Sequence, residues 1–293
     1  MEWRKGRRSD NVVDARGSGG GGGMRFGGGK GLGLAGILLI VGIGWLTGQD
    51  PLQILGQLTG QVEQQAVPTG AESKAPPAND QQADFVASVL GDTEDTWKAL
   101  FAQAGKQYDE PKLVLFSGQV NSACGFASSA VGPFYCPGDQ RVYLDMNFFR
   151  EMENRFSAAG DFAQAYVIAH EIGHHVQTLM GVSAQVQTAR QRGQRMEGDN
   201  GLLVRQELQA DCLAGVWAYQ AQKRLNWLEP GDVEEALNAA NAIGDDRLQQ
   251  QGQGRVVPDS FTHGTSAQRV RWFKAGFGSG EVSQCDTFNA RNL

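Results

Sequence analysis

One stretch of the sequence, Ala163 to Gly181, restricts the fold more than any other. It reads AQAYVIAHEIGHHVQTLMG and contains His170, Glu171 and His174 in the order H-E-x-x-H. On an α-helix, residues four apart lie one turn above each other on the same face, so the two imidazoles can reach one ion. Glu171 lies about 100° further round the helix, at the edge of that face. The stretch therefore predicts a helix that presents two metal ligands and a carboxylate able to reach a metal-bound water.

A third ligand has to come from another part of the chain, because a catalytic zinc site usually has three protein ligands and one water. Glu207 is the best candidate, since it lies in a second stretch with helical apolar spacing. Asp211 follows one turn later on the same face, where its carboxylate can accept a hydrogen bond from the free ring N–H of a ligand histidine. The sequence therefore predicts a Zn²⁺ (Zn2+) site made of His170, His174 and Glu207, with Asp211 behind one imidazole.

The H-E-x-x-H pattern alone also arises by chance on amphipathic helices, where it would mean two surface histidines and a glutamate. The distribution of histidines argues against that interpretation. The chain has four histidines, and His170, His174 and His175 fall within six residues. The E-x-x-x-D pattern at Glu207 is a second, independent match. Together the two patterns favour a metal site.

The first 80 residues differ from the rest in composition, and we expect them not to contribute to the core. Many of the 40 glycines fall in residues 17–23 and 27–36, and such a segment cannot bury enough apolar surface to fold. Residues 1–30 carry a charge of +4 in a chain of net charge −6, so the remainder carries −10. A basic N-terminal segment (residues 1–30, the head) followed by an acidic remainder (residues 31–293, the body) argues against nucleic acid as a partner. This charge distribution is typical of a membrane-topology signal.

Residues 31–49, GLGLAGILLIVGIGWLTGQ, contain no charged side chain. About 20 mostly apolar residues span a bilayer as a helix, so the segment is just long enough for a transmembrane anchor. A cleaved signal peptide is disfavoured by the long head and the lack of an A-x-A-like site, and a buried core helix by the lack of flanking folded sequence. We therefore expect a single-pass protein of the inner (cytoplasmic) membrane, with residues 1–30 in the cytoplasm and the catalytic domain in the periplasm.

Residues 50–82 are polar and contain proline, which is typical of a flexible linker. Residues 83–293 form the predicted folded domain. Its apolar spacing is mostly helical, with a break or bend expected near Gly91, and the runs 112–116 and 141–145 are typical of strands. The predicted fold class is α+β and predominantly helical, with a small β-sheet.

The four cysteines are Cys124, Cys136, Cys212 and Cys285, and an even number in a periplasmic setting favours disulfides. Four cysteines allow three pairings. We favour Cys124 with Cys136, which closes a local loop, and Cys212 with Cys285, which ties the tail to the zinc-bearing helices. Cys212 could instead be a thiolate ligand beside Asp211, although its direction on a helix differs by about 100°.

HEIGHH followed by ELQAD resembles the gluzincin pattern of zinc metallopeptidases, H-E-x-x-H with a distal E-x-x-x-D. With CGFASSAVGPFYCPGDQRVYLD before it and THGTSAQRVRWF after it, most of the chain resembles the putative neutral zinc metallopeptidase family of bacterial single-pass membrane proteins. The resemblance implies a zincin-like domain that cleaves a peptide or protein substrate and is anchored to a membrane. It also implies that residues 134–145 form the lip of the cleft, where an extended peptide can pair as a strand. A plain hairpin fits the same pattern equally well.

His263 and Arg269 lie in the segment FTHGTSAQRV. Thr265 and Gln268 can form a capping box that starts a helix, and a histidine just before a helix is ordinarily a polar loop residue. The segment also resembles the H-P-x-x-x-x-R segment of related membrane metallopeptidases, with Gly264 in place of the proline. That resemblance implies that His263 supports the oxyanion of the tetrahedral intermediate and that Arg269 buttresses the site.

The predicted function is hydrolysis of peptide bonds by an endopeptidase that uses zinc-activated water and Glu171 as general base. A non-catalytic, metal-stabilised binding or scaffold module of the cell envelope is the alternative, and it should tolerate Glu171→Gln. Hydrolysis of a non-peptide bond, for example in cell-wall material, is a third hypothesis that the sequence leaves open.

Overall fold

The computed structural model describes residues 1–16, 74–128, 132–156 and 160–293. The helices in these ranges are α1 (Gln81–Gln103), α2 (Met146–Phe156), α3 (Asp161–Leu179), α4 (Val182–Gln191), α5 (Leu202–Leu225), α6 (Asp232–Ala242), α7 (Asp245–Gln253) and α8 (Ser266–Ser279). The strands are β1 (Val12–Asp14), β2 (Lys112–Phe116), β3 (Gln119–Ser122), β4 (Gly125–Ser128), β5 (Phe134–Cys136) and β6 (Arg141–Asp145). Short 3-10 turns occupy Trp3–Lys5, Pro258–Ser260 and Val282–Cys285.

Four strands form one mixed sheet in the order β1-β2-β6-β5. β2 is parallel to both β1 and β6, and β5 is antiparallel to β6. The two predicted strands pair over their full length, from Lys112 opposite Arg141 to Phe116 opposite Asp145. β3 and β4 form a separate antiparallel hairpin. The prediction of a mostly helical α+β fold with a small sheet is confirmed.

The two faces of the sheet bury different side chains, because residues alternate across a strand. One face packs on the helices and joins the main core through Leu113, Leu115, Val142 and Leu144. The other face carries a smaller apolar cluster of Val114, Phe116, Cys136 and Tyr143. The helices therefore cover one side of the sheet, and the main core lies between them and it.

α5 lies at the centre of the helical layer, where it packs against α1, α3 and α8. Glycines let its backbone touch that of α8: a Cβ at Gly215 would lie 2.1 Å from the Phe273 carbonyl oxygen, and a Cβ at Gly276 would lie 1.9 Å from that of Cys212. Such contacts leave α5 little freedom to shift.

α1 is one uninterrupted helix through Gly91, so of the two expectations at this glycine, a break into two helices is wrong and a single helix is confirmed. The N-terminal segment crosses α1 here, and a Cβ at Gly91 would lie 2.9 Å from the Arg7 carbonyl oxygen. The Ser9 amide also donates to the Ala87 carbonyl at 2.9 Å. Gly91 therefore makes room for a second segment of chain.

Residues 1–16, which we call the N-terminal arm, pack into the domain. Val12 pairs with Leu113 where β1 extends the sheet. The buried carboxylate of Glu94 accepts hydrogen bonds from the Ser9 hydroxyl at 2.6 Å and the Asn11 amide at 2.9 Å. The expectation that the first 80 residues contribute nothing to the core is therefore wrong for the arm.

The positive charges of the arm bind carboxylates of the body. Salt bridges join Arg8 to Asp84 at 2.6 Å, Arg16 to Asp80 at 2.6 Å, Arg7 to Glu94 at 2.5 Å, and the Met1 ammonium to Asp161 at 2.7 Å and to Asp232 at 3.2 Å. Within residues 1–16, the basic groups of the head and the acidic groups of the body are thus the two sides of an intramolecular interface, and for these residues the interpretation as a topology signal is not needed.

The predicted localisation in the inner membrane, with a cytoplasmic N-terminus and a periplasmic domain, is wrong. The hydrocarbon core of a bilayer is about 30 Å thick and would separate those segments, whereas β1 and β2 are hydrogen-bonded neighbours in one sheet. Within the described ranges, no helix has the length and apolar character needed to cross a membrane. The predicted span at residues 31–49, and residues 50–73 of the predicted linker, lie outside the described residues.

Two disulfides are formed, in the pairing that we favoured. Cys124 pairs with Cys136 and joins the β3–β4 hairpin to β5. Cys212 pairs with Cys285 and joins α5 to the C-terminal 3-10 turn. Cys212 is therefore not available as a thiolate ligand.

Gly6 provides a test of the packing of the arm. A Cβ there would lie 2.4 Å from Cζ2 of Trp227 and 2.9 Å from the Ser88 hydroxyl oxygen, so Gly6→Ala overpacks a tight contact. We expect it to lower the free energy of unfolding by roughly 1–3 kcal/mol, measured by chemical denaturation of the full chain. Gly252→Ala is the matched control, because it lies in α7 with open space around it, and it should leave stability unchanged or raise it by up to about 1 kcal/mol. Equal stability of Gly6→Ala and the wild type would contradict the packing of the arm.

Candidate metal centre

Gly173 brings α3 into close contact with α5. A Cβ at this position would lie 3.0 Å from the carbonyl oxygen and 3.1 Å from the Cα of Ala210. Gly173 is one of the two variable positions in the H-E-x-x-H pattern, so this contact falls at the level of the two histidines. The contact places Glu207, three residues before Ala210 on α5, against those histidines.

The three predicted ligands converge. Nε2 of His170 lies 3.1 Å from Oε2 of Glu207, and Nε2 of His174 lies 3.5 Å from Oε1 of the same carboxylate. All three ligand atoms fit within 4.8 Å of one another. Tetrahedral zinc with bonds of about 2.0–2.2 Å separates its ligand atoms by about 3.3–3.6 Å. Two imidazoles and one carboxylate at these distances therefore fit Zn²⁺.

Asp211 fixes the orientation of His170. This carboxylate is fully buried, and its Oδ1 lies 2.8 Å from Nδ1 of His170. Because a carboxylate accepts the hydrogen bond, Nδ1 carries a proton and Nε2 faces Glu207. The structure thus places Asp211 behind an imidazole, where the spacing predicted it.

Arg269 keeps Asp211 ionised. Its Nε and Nη2 donate to the two carboxylate oxygens at 2.9 Å each, and the Tyr166 hydroxyl donates to Oδ1. Burial by itself raises the pKa of Asp211, but the charges of Arg269 and His170 outweigh it and lower the pKa to about 2. Arg269 therefore acts on the cluster through Asp211.

A different group lies behind His174. Its Nδ1 is 2.9 Å from Oε1 of Gln177, a fully buried side chain three residues further along α3. The two histidines are therefore held by different chemistry, a carboxylate for His170 and a neutral amide for His174.

The electrostatics of the metal-free cluster favour a cation at its centre. Burial lowers the pKa of His170, but Asp211 and Glu207 outweigh it and raise the pKa to about 10. Burial likewise lowers the pKa of His174, but Glu207 outweighs burial, so the pKa of this ring is raised overall. Burial raises the pKa of Glu207, but the charges of His174 and His263 hold it well below its usual value. Positive charge at the imidazoles is thus stabilised by the surrounding carboxylates.

Glu171 lies beside the cluster but is not one of the three residues whose ligand atoms converge. Its side chain is mostly buried, and its negative charge contributes to the raised pKa of His174. On the helix it follows His170 by one residue, which puts its carboxylate at the edge of the ligand face. This is the position that a base for a bound water requires.

His263 lies in the loop before α8, with half of its side chain exposed. Asp245 holds this loop: its Oδ2 accepts from the backbone amides of Thr262, His263 and Gly264 at 2.7, 2.6 and 3.1 Å, and its Oδ1 lies 3.3 Å from Nδ1 of His263. Burial lowers the pKa of His263, but the charge of Glu207 and the contact with Asp245 give a net rise. His263 therefore lies within electrostatic range of Glu207.

The third histidine of HEIGHH is structural. Nε2 of His175 donates to the Asp109 carbonyl at 2.7 Å, and its Nδ1 lies 3.2 Å from the Tyr135 hydroxyl. Because Nε2 carries the proton, Nδ1 accepts from Tyr135. Burial lowers the pKa of His175, which keeps the ring neutral. It connects α3 to β5 and lies outside the ligand cluster.

A second group of carboxylates, Asp161, Asp232 and Glu235, has ligand atoms equally close together. The Met1 ammonium lies 2.7 Å from Asp161 and 3.2 Å from Asp232, and Glu235 accepts from the Phe162 amide at 3.1 Å. The positive charge of the arm explains this cluster, so we assign no metal to it.

Three residues of the site are absent from the sequence-based predictions. Tyr166 lies one turn before His170 and Gln177 lies three residues after His174, so helical spacing alone could have indicated both. Asp245 comes from a distant segment, and no local pattern indicates its contact with the His263 loop.

Comparison with known proteins agrees with this geometry. The chain matches the family described as "Putative neutral zinc metallopeptidase" over residues 1–288. It is 52% identical over 293 residues to "Uncharacterized protein YpfJ" of Escherichia coli (strain K12), covering 98% of this chain and 99% of that one. It is 43% identical over 267 residues to "Uncharacterized protein Rv2575" of Mycobacterium tuberculosis (strain ATCC 25618 / H37Rv), covering 88% and 86%. No solved structure matches the chain. With the N-terminal arm and the metal cluster both inside the matched range, the chain belongs to the putative neutral zinc metallopeptidase family.

Proposed function

We propose that the protein is a zinc-dependent endopeptidase whose metal ligands are His170, His174 and Glu207. The convergence of three ligand atoms within 4.8 Å carries the proposal. Three protein ligands leave a fourth position for water, which distinguishes a catalytic from a structural zinc site. Membership of a zinc metallopeptidase family supports a peptide bond as the target.

A zinc ion at this site would lower the pKa of a bound water to about 7 and polarise the scissile carbonyl. Glu171 takes a proton from the attacking water onto its carboxylate and delivers it to the nitrogen of the leaving amine. Asp211 holds the Nδ1 proton of His170, so that the Nε2 lone pair points to the metal position. Arg269 supports this role by keeping Asp211 ionised.

We assign His263 to the oxyanion of the tetrahedral intermediate. Its ring is half-exposed, and Asp245 holds its Nδ1 side, which leaves Nε2 to donate to substrate. A donor aimed at developing negative charge stabilises the transition state. Arg269 is buried against Asp211 and contributes through that carboxylate rather than by contact with substrate.

The edge of the sheet supports an extended peptide as substrate. β5 is the last strand in the sheet order, and Tyr135 on β5 contacts His175 on the metal-bearing helix α3. An extended chain can pair with such an edge through backbone hydrogen bonds. We therefore assign residues 134–145 to the lip of the substrate cleft.

Glu171→Gln tests the mechanism. The amide keeps the size of the side chain but cannot accept a proton, so we expect an unchanged zinc stoichiometry and a loss of peptide hydrolysis of about 10²–10⁴-fold. Metal analysis together with digestion of a peptide library measures both. Wild-type turnover in this variant would remove Glu171 from the mechanism, and an absence of hydrolysis in both proteins would leave a binding module as the function.

Glu207→Ala tests the ligand set. Removing one of three ligands should reduce bound zinc to well below one equivalent after dialysis, because two imidazoles alone hold zinc weakly. Glu234→Ala is the control, since Glu234 is an exposed helical glutamate on α6. Equal zinc content in Glu207→Ala and the control would exclude Glu207 as a ligand.

Zinc binding should release protons. In the metal-free protein the pKa of His170 is about 10, so at pH 7 this ring is protonated and the proton must leave when Nε2 binds a metal. We expect release of at least one proton per zinc at pH 7, and an affinity that weakens about tenfold for each unit of acidification per proton released. Calorimetric titrations in two buffers of different ionisation enthalpy measure the release. Identical heats in both buffers would mean that no proton is released, and would contradict a protonated His170 in the metal-free protein.

A further inference from the structure

Gln177 is completely buried, and its side chain makes three hydrogen bonds. Its Oε1 lies 2.9 Å from Nδ1 of His174. Its Nε2 donates to the Gln206 carbonyl oxygen at 2.7 Å and to Oε1 of Gln209 at 3.0 Å. The side chain therefore links a ligand histidine on α3 to two residues of α5.

The contact with Gln206 determines which way the amide faces. A backbone carbonyl oxygen can only accept, so the atom of Gln177 beside it must be the NH₂ nitrogen. Turning the amide over would place its oxygen against the Gln206 carbonyl oxygen and leave that buried pair without a hydrogen. The oxygen of Gln177 must therefore face His174.

The orientation of the amide fixes the proton on His174. An amide oxygen accepts, so Nδ1 of His174 must carry the hydrogen of that bond. In a neutral ring the lone pair is then on Nε2, the atom that lies 3.5 Å from Glu207. The tautomer that Gln177 selects is the one that presents Nε2 to the metal position.

The far end of this hydrogen-bond chain is covalently fixed. Nε2 of Gln209 donates to the Cys285 carbonyl oxygen at 3.0 Å. Cys285 is bonded to Cys212, which follows Gln209 by three residues on α5. The disulfide thus holds the carbonyl that orients Gln209, and Gln209 in turn holds Gln177.

We propose that Gln177 is a positioning residue for the metal, which holds His174 in its Nδ1–H tautomer through a hydrogen-bond chain that ends at Cys285. The proposal rests on the metal site of the proposed function. In this proposal the neutral amide of Gln177 orients His174, as the Asp211 carboxylate orients His170. Loss of a partner of this kind typically weakens metal affinity by about 10–100-fold.

Zinc affinity of three variants of the full chain provides the first test, by competition with a chromophoric chelator using zinc alone. Gln177→Leu removes the acceptor and should weaken affinity by about 10–100-fold. Gln177→Glu keeps an oxygen facing His174, and as the protonated acid it can still donate to the Gln206 carbonyl oxygen, so its loss of affinity should be clearly smaller than that of Gln177→Leu, even where it lowers the stability of the fold. Gln185→Leu, an exposed glutamine on α4, is the control and should bind as the wild type does.

The tautomer is the second measurement, and it needs no metal. Long-range ¹H–¹⁵N correlation spectra of the metal-free protein at alkaline pH distinguish a proton on Nδ1 from one on Nε2. We expect Nδ1–H for His174 in the wild type and in Gln177→Glu, and a mixture with Nε2–H in Gln177→Leu.

Two outcomes would overturn the proposal: an Nε2–H ring in the wild type, or equal losses of affinity in Gln177→Glu and Gln177→Leu, which would indicate a purely structural role. Failure of the proposed function looks different. In that case the wild type binds no zinc although the spectra show Nδ1–H on His174, and the tautomer assignment stands without the metal.

Discussion

The contact between α3 and α5 at Gly173 is the constraint on which the site depends. Ligands from two helices can meet only if the helix backbones approach closely, and the absence of a side chain at Gly173 lets the α3 backbone lie against Ala210. Glu207 then bridges the two imidazoles directly. α8 holds α5 from its other side through Gly215 and Gly276, so a shift of α5 that would separate the ligands is opposed by backbone contacts on both faces.

Charge complementarity joins the N-terminal arm to the rest of the chain. Carboxylates of α1, α3 and α6 lie opposite the arginines and the ammonium group of the arm, and the arm also supplies a strand of the sheet. A buried carboxylate such as Glu94 is tolerated because three arm residues, Arg7, Ser9 and Asn11, contact it. The same charge asymmetry would be expected of a topology signal, and composition alone cannot distinguish the two explanations.

Local sequence patterns predicted the structural features that depend on only one or two segments of the chain. The spacing of His170 and His174, the E-x-x-x-D pattern at Glu207 and the strands at 112–116 and 141–145 are such cases, because helix and strand periods fix which side chains share a face. Contacts between distant segments were not predictable. The sequence predicts a break or bend at Gly91, because nothing near this residue indicates that Arg7 crosses there. Asp245 was missed for the same reason, since its partners are the amides of a loop 17–19 residues away.

The charges around the metal position explain why the two histidines have different partners. Among the groups in direct contact, Asp211 and Glu207 carry two negative charges and Arg269 one positive charge, which leaves one negative charge to be balanced. In the metal-free protein a proton on His170 contributes to that balance, because Asp211 and Glu207 outweigh burial and raise the pKa of this ring to about 10. A second carboxylate behind His174 would stabilise a further proton, which a metal would also have to displace. The neutral amide of Gln177 orients the ring without adding that charge, so the asymmetry lowers the competition between protons and metal while both Nε2 atoms remain aimed at the same point.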